Sequence, residues 1–140
     1  MRLAAALAAA LLASGAFAKD AAPKFRWPLI GKIEKAADGR GLDIAAPEGS
    51  AVHAAGDGEV LYASDEIASF GKMIVVRHAD GYVTTYAHLQ DMAVTKGVQV
   101  KRGQILGKSG KTGDVKTPRL HFELRKGDAS LDPVGYLAPR

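Results

Sequence analysis

Beyond Arg26 the chain alternates short apolar, β-branched runs with glycine-containing turns, roughly every 8–12 residues, and no segment sustains the spacing of an amphipathic helix. This pattern predicts an all-β fold of antiparallel sheets built from short hairpins. Asp57-Gly58 separates "AVHAA" from "EVLYAS", and Asp80-Gly81 separates "KMIVVRHA" from "YVTTYAH". An Asp-Gly pair accepts positive φ, so both are expected to close hairpins. "VQVKRGQILGKSG" predicts two short strands bent at Gly103. "RLHFELR" predicts a longer one, with Leu120, Phe122 and Leu124 on one face and Arg119, His121 and Glu123 on the other. Only Asp132 to Leu137, "DPVGYL", suggests a turn of helix.

The first residues break this pattern. Arg2, an unbroken apolar run from Leu3 to Ala13 and the small-residue signal Ala16-Phe17-Ala18 read as a secretory signal peptide over 1–18. The run is shorter than the ~20 apolar residues that span a bilayer, so no membrane anchor is expected after cleavage. Residues 19–26 are short, polar and Pro-containing and read as a linker, leaving 27–140 as one domain. The chain has no cysteine, which excludes a disulfide framework and the acylated cysteine of a bacterial lipoprotein. Its formal charge of +4, one unit less without Arg2, suits work beside an anionic polymer such as the cell wall.

Chemistry can reside in few places. The four histidines are His53, His78, His88 and His121. His53 beside one expected hairpin and His78 before the other read as structural or exposed. His88, two residues after Tyr86, should share that residue's face, and His121 should share a face with Arg119. Asp43 is an acid within an otherwise apolar run, where a buried carboxylate needs a partner.

"GLDIAAPEGSAVHAAGDGEVLYA", "GKMIVVRHADGYVTTYAHL", "GVQVKRGQILGKSGKTG" and "RLHFELRKGDASLDPVGYL" resemble, in order, the signature blocks of the LytM or lysostaphin-type zinc metallopeptidase domain. The resemblance runs from Trp27 to Leu137 and implies the duplicated hybrid fold of that family, with a groove. It also implies a zinc held by a histidine and an aspartate in an H-x-x-x-D block and by the second histidine of an H-x-H strand. Two further histidines, the first of the H-x-H and one in a Y-x-H block, would position and activate water. On that pattern Asp43 and His121 match two metal ligands, and His88 matches the Y-x-H histidine.

Two positions depart. Gly39 stands where the first ligand would be and has no side chain to offer, and Arg119 stands at the first position of the H-x-H. A catalytic zinc takes three protein ligands and one open position. Arg119 adds a permanent cation beside His121, and two such charges ~5 Å apart repel by about 3 kcal/mol at an effective dielectric near 20. The expectation is therefore a bidentate Arg119–Asp43 salt bridge in place of a metal, with no cofactor and no catalytic residue among Gly39, Asp43, His88, Arg119 and His121.

Within the family the resemblance is strongest to the degenerate branch of murein hydrolase activators typified by NlpD and EnvC. It implies a periplasmic partner of an N-acetylmuramoyl-L-alanine amidase, acting on peptidoglycan during cell separation, with no nucleic acid involved. The docking surface would be Asp43, Tyr86, His88, Arg119 and His121, rimmed by the loop from Lys108 to Pro118. One alternative is a zinc metalloendopeptidase that cuts cell-wall cross-links with Asp43, His121 and an unconventional third ligand such as Asp38, assisted by His88. Another is a passive peptidoglycan-binding module, against which the lack of an aromatic cluster for sugar stacking argues.

Overall fold

The computed structural model describes residues 24–36 and 38–140; the expected signal peptide and most of the expected linker lie outside them. Ten strands follow in order: β1 (Lys32–Lys35), β2 (Leu42–Ala45), β3 (Ala51–His53), β4 (Gly58–Ser64), β5 (Lys72–Arg77), β6 (Tyr82–Met92), β7 (Gln99–Val100), β8 (Ile105–Ser109), β9 (Arg119–Lys126) and β10 (Ala129–Leu131). They join in one sheet of order β1-β2-β9-β6-β5-β4-β7, with β10 on β9 and β8 linking β6 to β3. Every strand pairing is antiparallel. Among the described residues no helix is long and apolar enough to cross a membrane.

Alternation along β9 is as its sequence predicts. Leu120, Phe122 and Leu124 face a core that also buries Ile44, Ile74, Tyr86, Leu89 and Leu106, while Arg119, His121 and Glu123 face away from it. Fully burying a side chain such as Phe122 stabilises by about 2–3 kcal/mol, so this one strand pins the sheet. Asp80 and Gly81 turn with φ 62° and 80° between β5 and β6, the hairpin expected there. The chain bends at Gly103 between β7 and β8, and Pro133–Tyr136 forms a turn of 3-10 helix after Asp132, whose side chain caps Val134.

Asp57-Gly58 does not close a hairpin. β3 pairs with β8 and β4 pairs with β5 and β7, so the two runs diverge. The Asp57 carboxylate instead accepts from the backbone N–H of Arg102 at 2.7 Å, which ties the turn to the segment between β7 and β8. Phe25, inside the expected linker, is buried against His78 and Tyr82, and its backbone pairs with Leu137. The packed unit therefore begins at least two residues earlier than the expected boundary at Trp27.

The central strand β6 changes partners along its length. Tyr82 to Ala87 lie between β5 and β9, whereas Leu89 to Met92 pair with β8. The switch falls at His88, whose φ of 65° breaks the two-residue alternation. Tyr86 consequently points into the core while His88 turns into the groove, contrary to the shared face expected for them.

Gly41, just before β2, is held at φ 66°, and a Cβ there would lie 2.2 Å from the Phe122 carbonyl oxygen. Gly39 has φ 75° but open space around it. Gly41→Ala is expected to cost roughly 3 kcal/mol or more, combining left-handed strain with a backbone clash, and Gly39→Ala only about 1–2 kcal/mol. Urea denaturation of both variants checks this, and equal losses would contradict the close packing of β2 on β9.

Candidate functional site

The site is assembled by cross-strand register. Asp43 on β2 lies directly opposite His121 on β9, and Glu34 on β1 lies opposite Asp43. Directly opposed residues of an antiparallel pair project to one face, so these three form a row across three strands. Arg119 and Glu123 stand two residues before and after His121 on that face.

The contacts alternate in charge. Arg119 Nη1 donates to Asp43 Oδ2 at 3.1 Å, His121 Nδ1 to Asp43 Oδ1 at 2.7 Å, and His121 Nε2 to Glu123 Oε2 at 2.8 Å. Glu34 Oε1 lies 3.9 Å from Arg119 Nη2. The Arg119–Asp43 salt bridge thus exists, but it is not bidentate. The second guanidinium nitrogen is 2.5 Å from Thr117 Oγ1, and the other Asp43 oxygen belongs to His121. Arg119 and His121 do not confront each other bare either, because Asp43 sits between them.

Both ring nitrogens of His121 face carboxylates, which accept hydrogen bonds when ionised, so both donate and the ring is an imidazolium. Burial alone would push its pKa down, but the hydrogen bonds and charges of Asp43 and Glu123 outweigh that and raise it to about 9. Burial likewise pushes Asp43 up, yet hydrogen bonds from His121 and Arg119 leave it below its usual value. His88 is held below its usual value by burial, with the nearby His121 charge adding to the effect. Its Nδ1–H donates to the Thr112 carbonyl at 2.8 Å, leaving Nε2 as an acceptor.

A cavity of about 280 Å³ lies over this row, lined by Asp38, Asp43, Phe70, His88, Asp114 and His121, among others. The Phe70 ring stacks on His121 with centroids 5.8 Å apart. Segment 112–117, within the loop expected at the rim, flanks the site by bonding His88 and Arg119.

Two predicted residues fall elsewhere. Tyr86 is fully buried, its hydroxyl held by Thr84 and the Ala55 N–H, so it cannot offer a docking contact. Gly39 sits in the exposed turn between β1 and β2 and lines a different cavity. Sequence reasoning assigned no role to Glu123, Glu34 or Phe70. Glu123 was within reach, two residues from His121 on one strand face; the other two depend on tertiary register.

The residues do not fit the zinc of the active pattern. Position 39 supplies no donor, a guanidinium occupies the coordination space of Asp43, and both lone-pair positions of His121 carry protons. Asp38, His121 and Glu123 do bring potential ligand atoms within 4.8 Å of one another, but a metal there would have to displace a proton that His121 donates.

A β-sheet groove with an aspartate, a Y-x-H histidine and the closing histidine of an H-x-H position defines a LytM-type, peptidase-like domain. The chain belongs to Peptidase family M23, whose profile matches residues 37–133. It is 43% identical over 123 residues to the cell division protein DipM of Caulobacter vibrioides, covering 83% of this chain and 20% of that protein. To the murein hydrolase activator NlpD of Escherichia coli it is 40% identical over 121 residues, covering 83% and 32%. A solved peptidase M23 structure from Pseudomonas aeruginosa superposes with a TM-score of 0.76 at 33% identity, covering 81% of this chain and 49% of that one. The chain spans about half the length of these relatives or less.

Because His121 binds its proton more tightly folded (about 9) than at its ordinary value of 6.5, its stabilisation is complete below about pH 6.5 and fades as pH rises through 9. Urea unfolding should show a loss of order 3 kcal/mol across that window. Glu123→Gln should move the loss to lower pH; a flat profile from 6.5 to 9 in the parent protein would contradict the imidazolium. Metal analysis of dialysed protein should find well under one zinc per chain, and stoichiometric zinc would overturn the reading of Arg119.

Proposed function

We propose that this chain is a non-catalytic LytM-domain factor that binds and activates an N-acetylmuramoyl-L-alanine amidase in the periplasm, promoting peptidoglycan splitting during cell separation. The observation that carries the reading is the Arg119–Asp43–His121–Glu123 network, which keeps the peptidase groove in shape with fixed side-chain charges where the active pattern holds an ion. The names of the relatives, a murein hydrolase activator and a cell division protein, support it. The groove then serves as a docking surface offering a stacked ring at Phe70, an open acceptor at His88 Nε2 and the rim carboxylates of Asp38 and Asp114. A second reading, a zinc metalloendopeptidase using the Asp38, His121 and Glu123 group, requires His121 to surrender a proton held between two carboxylates.

Dye release from labelled peptidoglycan separates these readings. The protein alone should release none, and adding a cognate amidase should raise release above that of the amidase by itself. Release by the protein alone would overturn the activator reading, and sedimentation with peptidoglycan without any stimulation would favour a passive binder. Arg119→Asp sets a further carboxylate against Asp43 and Glu34. It should abolish stimulation and cost roughly 2–4 kcal/mol in stability, the lower end reflecting a side chain still 22% exposed. Unchanged stimulation with unchanged melting would sink the docking surface.

A further inference from the structure

A second cavity, of about 540 Å³, shares no lining residue with the groove; it is bounded by Arg26, Trp27, Ile30, His53, Arg102 and Arg140, among others. No acidic side chain lines it. Among the described residues none of its three guanidiniums lies within ion-pair distance of a carboxylate. An arginine carries five N–H donors. Here one from Arg102 goes to the Lys24 carbonyl and one from Arg140 to the Gly31 carbonyl, which orients both side chains and leaves most of their donors open.

The floor is apolar. Trp27 is buried, its indole N–H held by the Ala138 carbonyl at 2.7 Å, and the Arg140 guanidinium lies 5.0 Å from its ring centroid. At the rim Ile30 is 67% exposed, the most exposed large hydrophobic side chain among the described residues. Two held guanidiniums, Arg102 and Arg140, with the unheld Arg26 beside them over an apolar floor, bind oxyanions in preference to neutral groups, and arginine forks suit phosphate oxygens. A single carboxylate would compensate one of three cations, whereas a phosphate offers more oxygens and up to two charges.

We infer that this cavity binds a phosphate group of a larger ligand, with Arg26, Arg102 and Arg140 as the anion contacts and Ile30 against the ligand's apolar part. The inference is independent of the groove and its partner. A phospholipid headgroup and a soluble phosphate ester share this chemistry, and the experiment distinguishes them.

Trp27 is the only tryptophan, so its fluorescence reads the cavity directly. Titration of the purified protein with inorganic phosphate at constant ionic strength should give a saturable change that acetate does not. Arg26→Gln, which removes a side chain with no hydrogen-bond duty among the described residues, should weaken phosphate binding roughly tenfold, and Arg26→Lys less. Phosphatidic acid vesicles, whose headgroup is a phosphate monoester, that shift the fluorescence where phosphatidylglycerol vesicles of equal anionic fraction do not would identify a headgroup; a response to phosphate alone would identify a soluble ester, and either supports the site. An equal response to acetate, no response to phosphate or to phosphatidic acid, or unaltered phosphate binding by a normally melting Arg26→Gln protein would overturn it.

Discussion

His121 is a buried cation between two carboxylates, and the form of the groove follows from keeping that charge compensated. Removing ions from water costs several kcal/mol each, repaid only when geometry and remaining hydrogen bonds are complete. Completion here comes from four places: Asp43 on β2, Glu123 on β9, Arg119 on the open side of Asp43, and Thr117 holding the far end of the guanidinium. Together Arg119 and His121 carry the charge of a divalent ion. Asp43, the one carboxylate that matches a ligand of such an ion, stays in place beside its protein-borne substitute, and Glu123 closes the far side of His121.

The sheet sets this arrangement with little freedom. Pairing Asp43 with His121 fixes which side chains share the face, and Gly41 lets β2 approach the Phe122 carbonyl closely enough for that pairing. On the other flank, the left-handed turn at His88 lets one strand serve two partners and delivers an imidazole to the groove as a by-product of the bend. The backbone N–H of His88 donates to the Phe70 carbonyl at 2.9 Å, so the ring that stacks on His121 is positioned by the same irregularity.

Much of this was legible in the chain itself. The period-two pattern from Arg119 to Leu124 assigned the inward and outward faces correctly because that strand is regular and half buried. That Asp43 needs a partner followed from its place in an apolar run, whereas naming Arg119 as that partner rested on the family resemblance, which sets the two residues at one site. Glu34 was not legible, since its place depends on how β1 registers with β2, which no local pattern encodes. The Tyr86 assignment failed because alternation presumes extended backbone, and one residue at positive φ reverses it. The Asp57-Gly58 hairpin failed for a different reason: the dipeptide marks a turn, but the strands beyond it find better partners in β5 and β8.

The bridge between Phe25 and Leu137, reinforced by the Trp27 bond to the Ala138 carbonyl, lays the first and last segments of the described residues side by side. Folded units whose end segments lie together in this way are, as a rule, the ones that tolerate insertion into a loop of another protein or reconnection in a permuted order, because neither change unthreads the sheet.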